Sequence, residues 1–321
     1  MSRAAYEDVR AKSAWMPRED RTVLALEGRD PTAMLQGLAS NDVRPVSGGR
    51  CVYATLLDPK GRMLSELRAL QGEAGAILLD VPTPTVARVR EHFARFVPPR
   101  MARLEPSPHA VLGLYGPGTI TRATPVLGGV APSVDEDALT VGPDGLRAVG
   151  TRYAGLPGLD FVAPAPVLDG VAAALGGNGV PRMDPDLLDL LRIEAGSPRW
   201  GAELDEGRIP IEAGLTERAI NQTKGCYTGQ EVIIRILHRG HVNWHLRGFQ
   251  AVDDAAALAT GDELTAPDAE KVVARVTSAA VSPRLGPIAL GYARRELDPG
   301  ALLVGPRGGA ARLTTLPFPP P

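Results

Sequence analysis

A cysteine, a lysine and two glycines fall within eight residues at Lys224-Gly225-Cys226-Tyr227-Thr228-Gly229-Gln230-Glu231. The thiolate is the reactive form of cysteine. A cation at Lys224, with Arg235 and Arg239 on the following segment, would lower its pKa below the free value of roughly 8.5. The stretch reads as a loop with two hinge glycines that feeds a strand through the apolar run Val232-Ile233-Ile234. The alternative is a small buried residue in a tight turn, which spacing taken alone favours, because free cysteine prefers the interior. Lys12, Lys60, Lys224 and Lys271 are the only lysines, so one inside this motif is less readily put down to chance.

Glu194 is the second candidate. Asp184-Pro185 caps a helix whose Leu187, Leu188, Leu190 and Leu191 form the apolar side, and Gly196 ends it, so Glu194 falls in the last turn. A carboxylate there opposes the helix dipole at roughly 0.3–1 kcal/mol, the kind of local conflict that collects at functional sites. A salt bridge to Arg192 or Arg199 explains it equally well. His238, His241 and His245 follow Cys226, but in a strand the first two would point to opposite faces and no second cysteine completes a metal set. They read as hairpin or surface histidines. Asp58-Pro59-Lys60-Gly61-Arg62 lacks the pattern of a phosphate loop and reads as a type I hairpin turn.

The elements that must carry these residues are legible in outline. With 321 residues and a formal charge of −2, the chain has room for two or three domains and no general case for direct nucleic-acid binding. No apolar run approaches the ~20 residues of a membrane-spanning helix, and the acidic residues of the first twenty argue against a leader, so the expectation is a cytoplasmic protein without a membrane partner. Cys51 and Cys226 form neither a disulfide framework nor a CxxC pair. Residues 22–27 read as a strand, Asp30-Pro31 opens a helix, 51–57 and 63–70 form the hairpin, 75–81 is a strand, and Val86, Val89, Phe93 and Phe96 mark a helix. That is an α+β unit of ferredoxin-like plan. Val111-Leu112-Gly113-Leu114-Tyr115-Gly116 echoes Val23-Leu24-Ala25-Leu26-Glu27-Gly28. A hairpin at Pro143-Asp144-Gly145, a strand at 159–162 and a helix at 167–175 follow in comparable order, which indicates an internal repeat. Past His245, short strands at 263–264, 272–277, 288–292, 302–303 and 311–316 indicate a small β-barrel or sandwich, and residues 317–321 a Pro-rich tail.

The octapeptide resembles the signature of the YgfZ group within the folate-binding YgfZ/GcvT family. Further matches are Leu35-Gln36-Gly37-Leu38 with Ser40-Asn41-Asp42-Val43, Asp58-Pro59-Lys60-Gly61-Arg62-Met63, Arg192-Ile193-Glu194-Ala195-Gly196 and Pro210-Ile211-Glu212-Ala213-Gly214-Leu215. Val276-Thr277-Ser278 with Ser282-Pro283, Leu285 and Leu290-Gly291-Tyr292 complete the set. The resemblance implies two ferredoxin-like α+β units, one of them discontinuous, and a C-terminal β-barrel around a central channel. The corresponding spans are 1–20 with 107–242, 21–106 and 243–316.

The resemblance also implies tetrahydrofolate as cofactor, Glu194 at the pterin with Tyr227 and Glu66 in the cofactor-binding set, and Cys226 as functional thiol with Lys224 as its charge neighbour. Iron–sulfur proteins or their assembly factors would be partners, and any effect on tRNA modification indirect. Two positions depart from the aminomethyltransferase branch. Ser65-Glu66 stands where that branch carries two aspartates, and an extra methylene of reach shifts the carboxylate enough, at ~1 Å, to cost ~10²-fold in rate. Arg21 and Leu188 stand where some YgfZ relatives offer tryptophans to folate. A tetrahydrofolate-dependent aminomethyltransferase or demethylase, and a folate-free protein scaffold, are the alternative functions.

Overall fold

The computed structural model describes residues 2–252, 258–306 and 308–318, so the end of the Pro-rich tail lies outside the described residues. The chain divides into two compact units. The first comprises Met1–Arg152, Leu156–Pro185 and Thr216–Ile234, and the second Tyr153–Gly155, Asp186–Leu215 and Arg235–Pro321.

The first unit opens with α1 (Arg3–Ala11) and β1 (Ala14–Pro17). There follow β2 (Arg21–Gly28), α2 (Pro31–Gln36), β3 (Val52–Leu57), β4 (Met63–Gln71), β5 (Ile77–Pro82), α3 (Val86–Phe96) and β6 (Ala102–Pro106). The pattern is then repeated by β7 (His109–Tyr115), α4 (Thr119–Val126), β8 (Leu139–Val141), β9 (Arg147–Thr151), β10 (Gly158–Pro164) and α5 (Ala165–Gly177). The two antiparallel sheets have orders β3-β4-β5-β2-β6 and β8-β9-β10-β7-β1. Each strand of the first has a counterpart in the second, except that the last position is filled by β6 in one and by β1, from the chain start, in the other. The echo between residues 23–28 and 111–116 is therefore a structural repeat, one copy of which is discontinuous. Its glycines show why the echo exists. Gly28 (φ +145°) and Gly116 (φ +126°) each end the equivalent strand against a backbone carbonyl, where an added Cβ would stand 2.5 Å from Met101 O and Val9 O respectively.

Strand alternation distributes the apolar residues of β2 and β7 to two faces. Leu24 and Leu26 pack with Leu35, Leu38, Val89 and Phe93 of the helical layer, and Leu112 and Leu114 with Leu168, Val171 and Leu175. Val23, Ala25, Leu70 and Leu78 turn the other way and meet Val111, Val149 and Val162, so the two sheets pack on each other. Cys51 is sealed into this second layer, where burial pushes its thiol far above its ordinary pKa and leaves it inert.

One end of the same inter-sheet layer is ionic. Arg68 on β4 donates to Asp80 on β5 (Nε, 2.8 Å) and, across the layer, to Asp160 on β10 (Nη1, 2.7 Å). Tyr115 on β7 donates to Asp160 (2.6 Å) and accepts from Arg18 (2.8 Å). Arg21 holds Asp80 from the other side (2.7 Å) and pairs with Glu66. Burial alone would raise the Asp80 carboxyl, but Arg21 and Arg68 outweigh it and hold its pKa below the ordinary value.

In the first unit, α7 (Thr216–Ala219) completes the fold; α6 (Pro185–Ala195) leads into the second unit, and the boundary between the units falls within α8 (Gln230–Arg239), after Ile234. The second unit centres on a closed six-stranded barrel of order β11-β14-β13-β12-β15-β16. Its strands are β11 (Trp244–Ala251), β12 (Glu263–Thr265), β13 (Val272–Ser282), β14 (Gly286–Arg294), β15 (Leu302–Val304) and β16 (Ala310–Thr314). Phe249, Leu264, Val276, Leu303 and Leu313 are among the residues that fill it. Among the described residues, no helix is long and apolar enough to cross a membrane.

Two expectations are corrected here. Val232-Ile233-Ile234 is not a strand but the first turn of α8. The β-branched residues promised a strand, yet only Ile233 is buried, with Val232, Ile234, Ile236 and Leu237 partly exposed and Arg235, His238 and Arg239 exposed, the pattern of a helix laid on a surface by one stripe. His238 accordingly sits in the last turn of that helix and not on a strand. The first barrel strand, β11 from Trp244, also falls inside the expected span 243–316 but was missing from the short strands expected there.

Candidate functional site

Three stretches singled out in the sequence converge in the first unit. Asp30 caps α2, its Oδ1 accepting from the Ala33 N–H at 3.0 Å, with Pro31 at the first helical position. The far end of α2 leaves carbonyls without intrahelical donors. Lys224 serves one of them and two carbonyls of the loop beyond: its Nζ donates to Gln36 O in the last turn (2.8 Å) and to Ala39 O (2.6 Å) and Asn41 O (2.8 Å) past the helix. The approach is braced on both sides. Ser40 Oγ donates to Ala219 O at 2.6 Å, Asn41 Nδ2 donates to Tyr53 O and Arg218 O at 2.9 Å each, and Asn221 Oδ1 accepts the Lys224 N–H at 2.9 Å.

At the other end of the loop, Gly229 lies on the hairpin. Asp58 is bridged by backbone bonds to Gly61 (3.0 Å) and Arg62 (2.9 Å), giving the expected turn, with Gly61 at φ +77°. Gly229 has φ +81°, and a Cβ there would meet Asp58 O at 2.5 Å and Leu57 Cβ at 3.0 Å. Gly229→Ala is therefore expected to cost about 2–3 kcal/mol, read as a lowered urea midpoint at unchanged slope, since it combines a left-handed backbone with a clash against backbone.

Between these two anchors Cys226 is exposed and its loop is held at both ends. Lys224, expected beside the thiol as a charge, instead directs its ammonium into three carbonyls, and its side chain is buried. Desolvation lowers its pKa to about 8, with Asp42 opposing. Tyr227 is buried with its hydroxyl unpartnered in the structure, and burial pushes its pKa up to about 12. Lys224 Nζ stands 5.2 Å from the centre of its ring. Glu66, on β4, is buried and ion-paired with Arg21, and the adjacent Ser65 hydroxyl bonds Glu66 O at 2.7 Å and lies 2.8 Å from Thr85 Oγ1.

The second unit carries Glu194, buried in the last turn of α6. Ser282 Oγ accepts the N–H groups of Arg284 (3.0 Å) and Leu285 (2.9 Å), which leaves its own proton for Glu194 Oε1. Glu194 is thereby held as an acceptor. Arg192 turns to Asp189 (2.7 Å) and to the fully buried Glu203 (2.7 Å). Glu203 also receives the hydroxyls of Thr277 (2.8 Å) and Ser278 (2.6 Å), so an ionic post joins the α6 turn to barrel strand β13. Sequence reasoning passed over Glu203. Its signal was its place eleven residues after Arg192, too loose a spacing to single it out. Among the described residues, no group of three or more His, Cys, Asp or Glu side chains is placed to hold a metal ion.

No protein-family model matches the chain. An aminomethyltransferase of Rubrobacter xylanophilus is 28% identical over 334 residues, covering 98% of this chain and 86% of its own length. One from Nostoc sp. is 26% identical over 304 residues, covering 91% and 80%. The crystal structure of the glycine cleavage system aminomethyltransferase T from Bartonella henselae matches with a TM-score of 0.86 at 19% identity, over 98% of this chain and 89% of that one. From its paired α+β sheets to its closed barrel, this chain has the aminomethyltransferase fold.

Proposed function

We propose that the chain binds tetrahydrofolate and handles one-carbon units in the manner of an aminomethyltransferase, with Glu194 receiving the pterin. The observation that carries this reading is the orientation of Ser282, which makes Glu194 a buried hydrogen-bond acceptor at the end of α6. The aminopyrimidine edge of a pterin offers N–H donors, and a carboxylate accepts two of them in parallel. The acceptor present therefore fits the donors of the group. When bound, tetrahydrofolate supplies the amine that accepts a one-carbon unit. The names of the full-length relatives support the same reaction class. The test is ammonia release from an aminomethyl donor: release that depends on added tetrahydrofolate and survives Cys226→Ser is expected, and none at any tetrahydrofolate concentration would refute transfer.

A second reading is favoured by Glu66. Its carboxylate is taken by Arg21, which leaves it poorly disposed to serve one-carbon chemistry, whereas Cys226 is exposed on a clamped loop. In that reading the chain is a folate-binding protein of the YgfZ group that supports assembly or repair of iron–sulfur clusters in other enzymes, with Cys226 as the functional thiol and an indirect effect on tRNA modification. Deleting the gene would then lower iron–sulfur enzyme activities, and a Cys226→Ala copy would not restore them. Full rescue by that copy would exclude the thiol role.

A further inference from the structure

Asn178-Gly179 is the only asparagine-glycine pair in the chain; Asn41, Asn221 and Asn243 precede Asp42, Gln222 and Trp244. Glycine has no Cβ to keep its main-chain nitrogen away from the side-chain carbonyl of the asparagine before it, so this pair closes into a cyclic imide more readily than the other three. Its place in the fold governs when that chemistry occurs.

Helix α5 ends here in a Schellman motif. The N–H groups of Gly179 and Val180 donate to Gly176 O (2.9 Å) and Leu175 O (3.0 Å), with Gly179 left-handed at φ +73°. Asn178 Nδ2 donates to Ala174 O (2.8 Å), and Arg122 Nη1 reaches Asn178 O (3.3 Å). At Asn178 ψ is 14°, which turns the Gly179 nitrogen away from the asparagine Cβ. Ring closure therefore requires the cap to open. Opening costs little, because residues 176–179 are all exposed and Gly176 and Gly177 weaken the turn they belong to. Neither of those two glycines is required by space: an added Cβ at either would meet nothing within 4 Å.

The segment past the cap holds the edge strand β1. Val180 is buried in the core of its sheet, and its carbonyl accepts Trp15 Nε1 (3.2 Å). Pro181 O accepts the Trp15 N–H (3.0 Å), and the Met183 N–H donates to Trp15 O (2.8 Å). The turn at Asn178 thus sets the position of the contacts that dock β1.

We propose that Asn178 is a site of spontaneous deamidation, gated by fraying of the α5 cap, and that its product loosens β1. The Gly179 nitrogen attacks Asn178 Cγ; the N–Cγ bond forms, the Cγ–Nδ2 bond breaks, and Nδ2 leaves as ammonia with the Gly179 amide proton. Water then opens the imide at either carbonyl carbon, giving aspartate or isoaspartate. Both products replace the donor to Ala174 O with a carboxylate at a helix C-terminus, where the dipole opposes it. Isoaspartate also adds a methylene carbon to the main chain between the cap and Val180.

The test is to age the full chain at mildly alkaline pH and map its peptides by mass spectrometry. Aspartate and isoaspartate should accumulate at Asn178 ahead of the other three asparagines, about tenfold or more slowly than in a free peptide of residues 172–182. In the double variant Gly176→Ala, Gly177→Ala the rate should fall about fivefold or more, because each alanine favours the closed turn. Wild type aged to high conversion should unfold at a lower temperature, and equally aged Asn178→Gln, whose longer side chain cyclises slowly, should not. The proposal is overturned by an intact Asn178 once the free peptide has converted, by equally fast conversion of Asn221 or Asn243, by a rate unchanged in the alanine variant, or by equal unfolding temperatures of aged wild type and aged Asn178→Gln.

Discussion

Asp80→Asn should destabilise the first unit by about 3–5 kcal/mol, the cost of removing one partner from a buried ionic group. Asp80 is fully buried and shared by Arg21 and Arg68, whose side chains are 9% and 6% exposed. Without its charge both guanidinium groups stay between the sheets with too few counterions: Glu66 retains Arg21, Asp160 retains Arg68, and nothing replaces the bridge. Urea unfolding checks the magnitude, and its pH dependence checks the cause. The folded-state pKa of Asp80 lies below its unfolded value of about 3.9. Its contribution is therefore complete above that value and is lost as pH falls through the folded pKa. Asp20 behaves alike: burial would raise its carboxyl, but Arg18 brings it to about 2. The stability advantage of wild type over Asp80→Asn should accordingly shrink below about pH 4. A constant difference across that range would assign the loss to packing instead.

Lys224→Met is the second large effect. Methionine keeps most of the stem but leaves the carbonyls of Gln36, Ala39 and Asn41 without their donor, and about 2–4 kcal/mol is expected from one buried and two part-buried acceptors and a charge-assisted group. Arginine should not rescue it, because a planar guanidinium cannot reach three carbonyls arranged around a single pyramidal nitrogen. The pH dependence has a definite sign. Lys224 has a folded pKa of about 8, below the value of about 10.4 in an unfolded chain. Between those values the unfolded chain binds the proton that the folded chain has released, so this residue's contribution rises with pH. The stability gap between wild type and Lys224→Met should widen from about pH 8 to about 10, and a gap that narrows would mean that the ammonium is not desolvated as described.

What could be read from the sequence was what is local. The Asp58–Gly61 turn follows from residue types at fixed offsets, and the α6 helix from a proline start, a leucine stripe and a glycine stop. The repeat was visible because the same two-faced strand recurs at residues 23–28 and 111–116, although the edge strand from the chain start, β1, is too short to announce itself. α8 was misread because β-branched residues carry a strand signal that packing on one stripe overrides. The ionic layer was invisible for a different reason. Arg68 and Asp160 lie 92 positions apart, and each looks like an ordinary polar position on a half-exposed strand until the second sheet covers it. Lys224 is the same case: its place in a cysteine motif suggested electrostatics at the thiol, while its acceptors lie 183 to 188 positions away.

The central claim is that Glu194 makes this a tetrahydrofolate-binding chain, and anaerobic calorimetric titration of tetrahydrofolate into wild-type and Glu194→Gln protein tests it most directly. Saturable one-site binding by the wild type is predicted, weakened on the order of 10- to 100-fold in the variant, the equivalent of losing charge-assisted hydrogen bonds. Absence of binding by the folded wild-type chain, or equal affinity of the two proteins, would contradict it.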